Sequence, residues 1–350
     1  MTNPYVGIKD YQLWRRSVAR VETHLFDPVE NPRYKIDSSM KIATAGSCFA
    51  QHISRQMQRI GFHYLIAESG EDLPPQERIS RNFGVFSARY GNLYTARQLL
   101  QLFEEVFEGR TPLETAWRRK DGKFVDPFRP LIEPDGYETE EAVREARRAH
   151  LKAVKSVFLD SDVFVFTLGL TEAWRSRSDG SVFPLAPGVS AGAYDAEKYE
   201  FINFNVADVD MDMTLFLEKL KAVNPRVKVL LTVSPVPLVA TYEDRSVLVS
   251  TTYSKSVLRV VAEQMLARFD WVDYFPSYEI ITGSYAGGLY YEDDYREVNS
   301  IGVAHAMRCF VKNYVSQPEE EKTAATMLPL PEAPQRNVIC DEREIEMMRP

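Results

Sequence analysis

The sequence lacks most of the features that would place it in a specialised class. Three cysteines among 350 residues, Cys48, Cys309 and Cys340, are odd in number and far apart, which excludes a disulfide framework and a paired-cysteine metal site. No run reaches the ~18 consecutive apolar residues of a membrane span. Met1–Tyr11 lacks the apolar core of a signal peptide. Positive charge is not in excess: the net charge of −8 leaves no electrostatic footprint for nucleic acid or an anionic membrane. No internal repeat is present. The expectation is a soluble cytoplasmic protein with no nucleic-acid or membrane partner; oligomeric state stays open.

What is present is a 45% hydrophobic chain, long enough for one large α/β domain with insertions. Residues 1–40 are rich in aromatics, Arg and Pro without periodicity and read as an N-terminal arm. The main domain spans 41–316, with an insertion around 70–140, and 317–350 reads as a flexible Pro/Glu-rich tail.

Within the domain, Lys41–Ala45 is a strand run that ends in Gly46-Ser47 and passes into helix formers from Gln51 to Ile60, closed by Gly61. Phe62–Ile66 has the composition of a second strand. Thr95 caps a helix over Ala96–Glu108, and a charged amphipathic helix runs over 140–159. Asp162–Gly169 and Val227–Ser234 are apolar runs of strands covered on both faces, and Val272–Phe275 is the last strand. Helices are predicted from near Met213 to Val223, over 253–269 and over 301–315. Strands alternating with helices predict a three-layer α/β sandwich with a mostly parallel sheet, and the turns after Ala45, Leu168 and Val233 emerge at one sheet edge, where ligands bind.

The Gly46-Ser47-Cys48 turn carries the chemistry. A nucleophile there has backbone N–H groups of a helix start beside it to receive developing negative charge. Alone, such a turn is more often only an N-cap; the strand before it and the Gly-x-Thr-Glu turn at a second strand end shift the reading to catalysis or ligand binding. Cys48 reads as a small buried residue, with a thiol nucleophile as the alternative to Ser47. Ser254-Lys255 reads as a helix start rather than a Ser-Lys dyad, because adjacent helical residues point apart.

The string Gly46-Ser47-Cys48-Phe49-Ala50 matches the signature of the GSCFA family, which resembles the SGNH/GDSL group of esterases and acyltransferases. Thr167–Trp174, Thr232–Pro237 and Ser254-Lys255 extend the resemblance over most of 40–315. It implies an SGNH-like fold with Ser47 as nucleophile. Gly169-Leu170-Thr171-Glu172 stands at the third block, with Gly169, Thr171 and Glu172 at the oxyanion or substrate, and Gly91-Asn92 is the candidate second block. The last block normally reads Asp-x-x-His; here Asp294-Tyr295-Arg296-Glu297 puts Glu297 where the histidine belongs.

An unperturbed glutamate near ~4.3 is a poor base at neutral pH. Two histidines offer alternatives: His305 in the final helix, oriented by Asp294 or Glu297, and His52 on the helix that Ser47 opens. His24, His63 and His150 have no such context. The implied function is a serine-dependent acyl-ester hydrolase or O-acyltransferase. A carbohydrate target follows from the resemblance and from the aromatics Tyr90, Tyr94, Trp174 and Tyr278. No metal or organic cofactor is called for, although a transferase would take an acyl-thioester donor. The alternative is a non-catalytic glycan- or small-molecule-binding protein on the same fold.

Overall fold

The computed structural model describes residues 3–316 and 340–347. In chain order, β1 (Ile42–Gly46) leads into α1 (Ala50–Arg59), and α2 (Ala96–Phe107) precedes a short hairpin of β2 (Trp117–Arg118) and β3 (Phe124–Val125). Then come α3 (Glu140–Asp160), β4 (Val163–Leu168), and three short strands, β5 (Glu172–Ser176), β6 (Val182–Phe183) and β7 (Tyr199–Asn203). The remainder is α4 (Val206–Val223), β8 (Lys228–Val233), α5 (Val247–Arg268), β9 (Val272–Tyr274) and α6 (Ser300–Tyr314).

The central sheet has the order β1-β4-β8-β9 and is parallel throughout. Its strands are buried on both faces, which is why they read as continuous apolar runs rather than alternating ones. Ala43, Ala45, Phe164, Phe166 and Leu231 pack against α2, α3, α4 and α5. Ile42, Val163, Val165 and Leu230 turn the other way, against α1 and α6. Three layers result, as the alternation of strands and helices predicts.

Register fixes the active edge: Gly46 pairs with Thr167, and Thr167 with Thr232, so three strand ends finish level. The helices that follow start where their caps dictate. Thr95 and Gln98 form a reciprocal capping box, and the Asn205 and Asn299 side chains accept first-turn N–H groups.

Several boundaries differ from expectation. Phe62–Ile66 contributes one bridge, Ile42 to Tyr64, before the chain leaves the sheet edge to pair Ala67 with Ser87. Helix α5 begins at Val247, not Tyr253, because β-branched Val247, Val249, Thr251 and Thr252 hide its first turns from propensity reasoning. Helix α4 starts at Val206 on its Asn205 cap rather than near Met213. The Glu172–Trp174 stretch is strand, paired with β7 in a small antiparallel sheet of order β6-β5-β7.

The arm is anchored. Ile36 bridges Val315, and the Arg33 guanidinium caps the carbonyls of Leu266, Phe269 and Val272 at 2.7–2.9 Å. Asp27 pairs with Lys312 at 2.8 Å. The insertion is held by buried charges: Asp126 accepts from Arg129 at 2.8 Å and from Arg147 at 3.3 Å. Of the tail predicted over 317–350, residues 317–339 and 348–350 lie outside the described residues; Cys340–Met347 is a turn and short helix, with Cys340, Asp341 and Glu342 buried.

Candidate active site

Gly46 ends β1 with φ +129, and the chain then turns across the sheet edge. The Ser47 N–H donates to Thr167 O at 3.1 Å, extending the ladder by one bond. That amide is therefore spent and does not serve as an oxyanion donor, contrary to the expectation from the turn. Downstream, the N–H groups of Ala50, Gln51 and His52 bond to the carbonyls of Ser47, Cys48 and Phe49. Among the described residues the Cys48 and Phe49 N–H groups have no partner, as orphan donors of a helix start do. The Ser47 hydroxyl is buried and has no hydrogen-bond partner among the described residues.

Gly169 packs directly against the serine. A Cβ built on it would lie 3.0 Å from Ser47 Cβ and 3.0 Å from Tyr94 O, so this position needs glycine for close approach. Its N–H donates to Tyr94 O at 3.0 Å. The 91–94 segment runs alongside: Gly91 turns at φ +68, and Leu93 N–H donates to Gly46 O at 2.9 Å. The segment chosen as the second block is thus at the site. Leu93, Tyr94 and Gly169 line the serine turn through backbone contacts that spacing alone does not reveal.

Other residues serve elsewhere. Thr171 is fully buried, its N–H on Ser254 Oγ at 3.0 Å and its hydroxyl donating to Asn203 Oδ1 at 2.7 Å. Glu172 accepts from Thr241 at 2.7 Å and from the Tyr242 N–H, and burial raises its carboxyl. Trp174 packs with Tyr194 and Tyr242 on the small sheet. Tyr90 is core, its hydroxyl donating to Thr44 O.

Neither candidate histidine reaches Ser47. His305 is clamped in the opposite layer, Nε2 donating to Phe26 O at 2.6 Å and Nδ1 accepting from Tyr290 at 2.5 Å. Burial lowers its pKa. It fastens the arm to α6. His305→Ala is expected to cost about 1–3 kcal/mol by removing the buried bridge between Tyr290 and the Phe26 carbonyl, which keep the longer bonds to Thr23 O (3.3 Å) and from Cys309 Sγ (3.6 Å), read as a lowered denaturation midpoint. His52 packs against the Phe49 ring, and burial followed by Arg55 pulls it down to about 3, leaving it neutral. Asp294 accepts the Arg296 and Glu297 N–H groups at 2.9 Å each, shaping the loop, and Glu297 pairs with Arg343.

Two features at the site have no role in the expectations from sequence. The first is Lys255, fully buried in mid-helix α5, whose Nζ donates to Gly169 O at 2.7 Å. Burial lowers its pKa to about 8, with Glu342 and Cys48 opposing. The Ser254-Lys255 pair was legible, but its reading as a helix start placed it away from the chemistry.

The second is the Cys340-Asp341-Glu342 turn. Asp341 N–H donates to Tyr94 Oη at 3.1 Å, and Asn92 Nδ2 donates to Asp341 Oδ2 at 3.0 Å. Arg296 Nη2 donates to Glu342 Oε2 at 2.8 Å and to Cys340 Sγ at 3.5 Å. Cys48 neighbours Cys340. The interaction of the two thiols, with Arg296 adding to it, holds the Cys340 thiol down to about 5 and lifts Cys48 well above its usual value. Cys48 is therefore held as a thiol, which argues against it as nucleophile. Burial pushes Asp341 and Glu342 up to about 7.

Among the described residues no cluster of three or more His, Cys, Asp or Glu side chains is arranged to hold a metal, and no helix is long and apolar enough to cross a membrane. No curated protein matches the sequence. A family model does, over residues 41–310, the span from β1 through most of α6, with the Ser47 turn at its head. By that match over most of its length, the chain belongs to the GSCFA family.

Proposed function

We propose that the protein is a serine-dependent acyl-ester hydrolase or O-acyltransferase acting on a carbohydrate, with Ser47 as nucleophile. The observation that carries this is the Ser47 hydroxyl: buried, without a partner among the described residues, at the level end of three parallel strands and against a glycine that no larger residue replaces. A buried hydroxyl left without a bond costs free energy, which the fold tolerates where chemistry uses it. The relation to SGNH-type esterases rests on the sequence resemblance and agrees with this placement.

Lys255 takes the role of the missing histidine. A lysine held near 8 by burial is neutral in part at physiological pH, and its partner Gly169 abuts the serine. Nζ turns from the Gly169 carbonyl and takes the Ser47 proton as Oγ attacks the acyl carbonyl, forming the Oγ–C bond. The oxyanion that results faces the Cys48 N–H, the residue after the nucleophile. Collapse expels the alcohol, which takes the proton from Lys255. Water or a sugar hydroxyl then attacks the acyl-serine, giving its proton to Lys255, which returns it to Ser47 Oγ as the acyl–serine bond breaks.

Because the base acts in its neutral form, kcat/KM is expected to rise as pH increases through about 8. Lys255→Met removes that rise along with the activity. Aryl acetates and acetylated oligosaccharides test the reading. An unaltered pH profile in Lys255→Met moves the base elsewhere. Glu297 at the histidine position favours a second reading, a glycan-binding protein without turnover. Binding of an oligosaccharide with no ester cleavage above the Ser47→Ala level establishes that one instead.

A further inference from the structure

We propose that Arg296 is a carboxylate-binding subsite beside Ser47, that the substrate carries an acidic group there, and that Glu342 of the chain's own C-terminal turn occupies the subsite in its absence. The proposal names the substrate class of the site described above and rests on the acyl-transfer reading for calling the ligand a substrate.

Arg296 is nine-tenths buried, and a buried guanidinium needs an anion to offset its desolvation. Glu342 supplies one, but through Nη2 alone. The Nε–H of Arg296 has no partner among the described residues. A guanidinium edge presents Nε and Nη2 as a parallel pair matched to the two oxygens of a carboxylate. Glu342 makes half of that match; a free carboxylate laid side-on makes both bonds.

The subsite lies beside the serine turn. Cys340, which accepts from the same Nη2, neighbours Cys48, the residue next to Ser47. The field of Glu342 also reaches Lys255, whose Nζ holds the Gly169 carbonyl against the serine turn. An acyl ester with its carboxylate on Arg296 therefore places the rest of the molecule toward Ser47, in the space that Cys340 and Glu342 take up.

The C-terminal turn is a weak competitor in its contacts and a strong one in its concentration. It is tethered to the domain, so any free ligand must outcompete an intramolecular partner. Its burial raises two carboxyls to about 7, so ionising them at higher pH works against docking. Neutralising Glu342 removes the competing charge while leaving Asn92–Asp341 and Tyr94–Asp341 in place.

Equilibrium titration of glutarate, with phosphate as comparator, into the full-length protein tests this. Wild type, Glu342→Gln and Glu342→Gln/Arg296→Lys are compared. Glutarate is expected to bind Glu342→Gln at least about tenfold more tightly than wild type. Arg296→Lys keeps the charge but loses the paired N–H edge, and is expected to return the affinity to the wild-type level. Equal affinity for wild type and Glu342→Gln, indifference to Arg296→Lys, or preference for phosphate each overturns the proposal. Repeating the titration in Ser47→Ala separates the two readings. Glutarate binding without ester turnover in the parent leaves the subsite and sinks acyl transfer, whereas turnover without glutarate binding does the reverse.

Discussion

Ser47→Ala is expected to lower acyl-ester turnover by about a thousandfold or more while leaving the protein as stable as before, or slightly more so. The first half follows from removing the nucleophile: enzymes that lose it retain only what binding and oxyanion stabilisation supply. The second half follows from the bonding of this serine. Its hydroxyl has no partner among the described residues, so deleting it breaks no side-chain hydrogen bond and relieves a buried polar atom worth about 1 kcal/mol. The backbone bond from Ser47 N–H to Thr167 O survives the change. Measuring kcat/KM and the urea midpoint on the same preparation checks both halves. A serine that merely capped a helix would show the opposite pattern, stability lost and activity spared.

Gly46→Ala is expected to be the most damaging change in the signature, destabilising the protein by about 3 kcal/mol or more. Gly46 sits at φ +129, where an L-residue is strained, and its added Cβ would fall 2.4 Å from Thr167 O, 2.7 Å from Thr167 N and 2.9 Å from Thr167 C. All three are backbone atoms of β4, a strand paired on both sides and buried in both layers. Nothing there can rotate away. Gly169→Ala meets longer contacts, Ser47 Cβ and Tyr94 O at 3.0 Å, without a positive φ, and is expected to displace the serine more than it unfolds the protein. A denaturation midpoint for Gly46→Ala within the error of wild type would overturn this account of the turn.

The strand-turn-helix unit at Lys41–Gly61 was legible because each signal is local: an apolar run, a glycine where φ must be positive, helix formers after it. The levelling of three strand ends was legible too, since parallel order and crossover hand follow from alternating elements. The base was not. Family spacing pointed at Glu297 and its neighbours, and proximity in sequence pointed at His52. The residue that reaches Gly169 comes from α5, whose β-branched first turns disguised where it begins. His305 has a helical position that fits a catalytic role, yet its partners Phe26 and Tyr290 come from the arm and from a loop, and no period or motif encodes them. The acidic turn at 340–342 reads as solvated charge by composition. Only its burial among Asn92, Tyr94 and Arg296 gives it another meaning.

The pairing of β1 has a consequence for the order in which the protein assembles. Ile42 pairs with Val163, and Ile36 bridges Val315, so the segment carrying the serine waits for partners made much later in synthesis. Such long-range closures come at an entropic cost and slow folding. Until β4 is available, Ser47 N–H has no Thr167 carbonyl to receive it and Gly169 is not there to confine the turn. The earliest motif in the chain is thus completed late, and a nascent chain that ends before Leu168 carries the signature without the geometry.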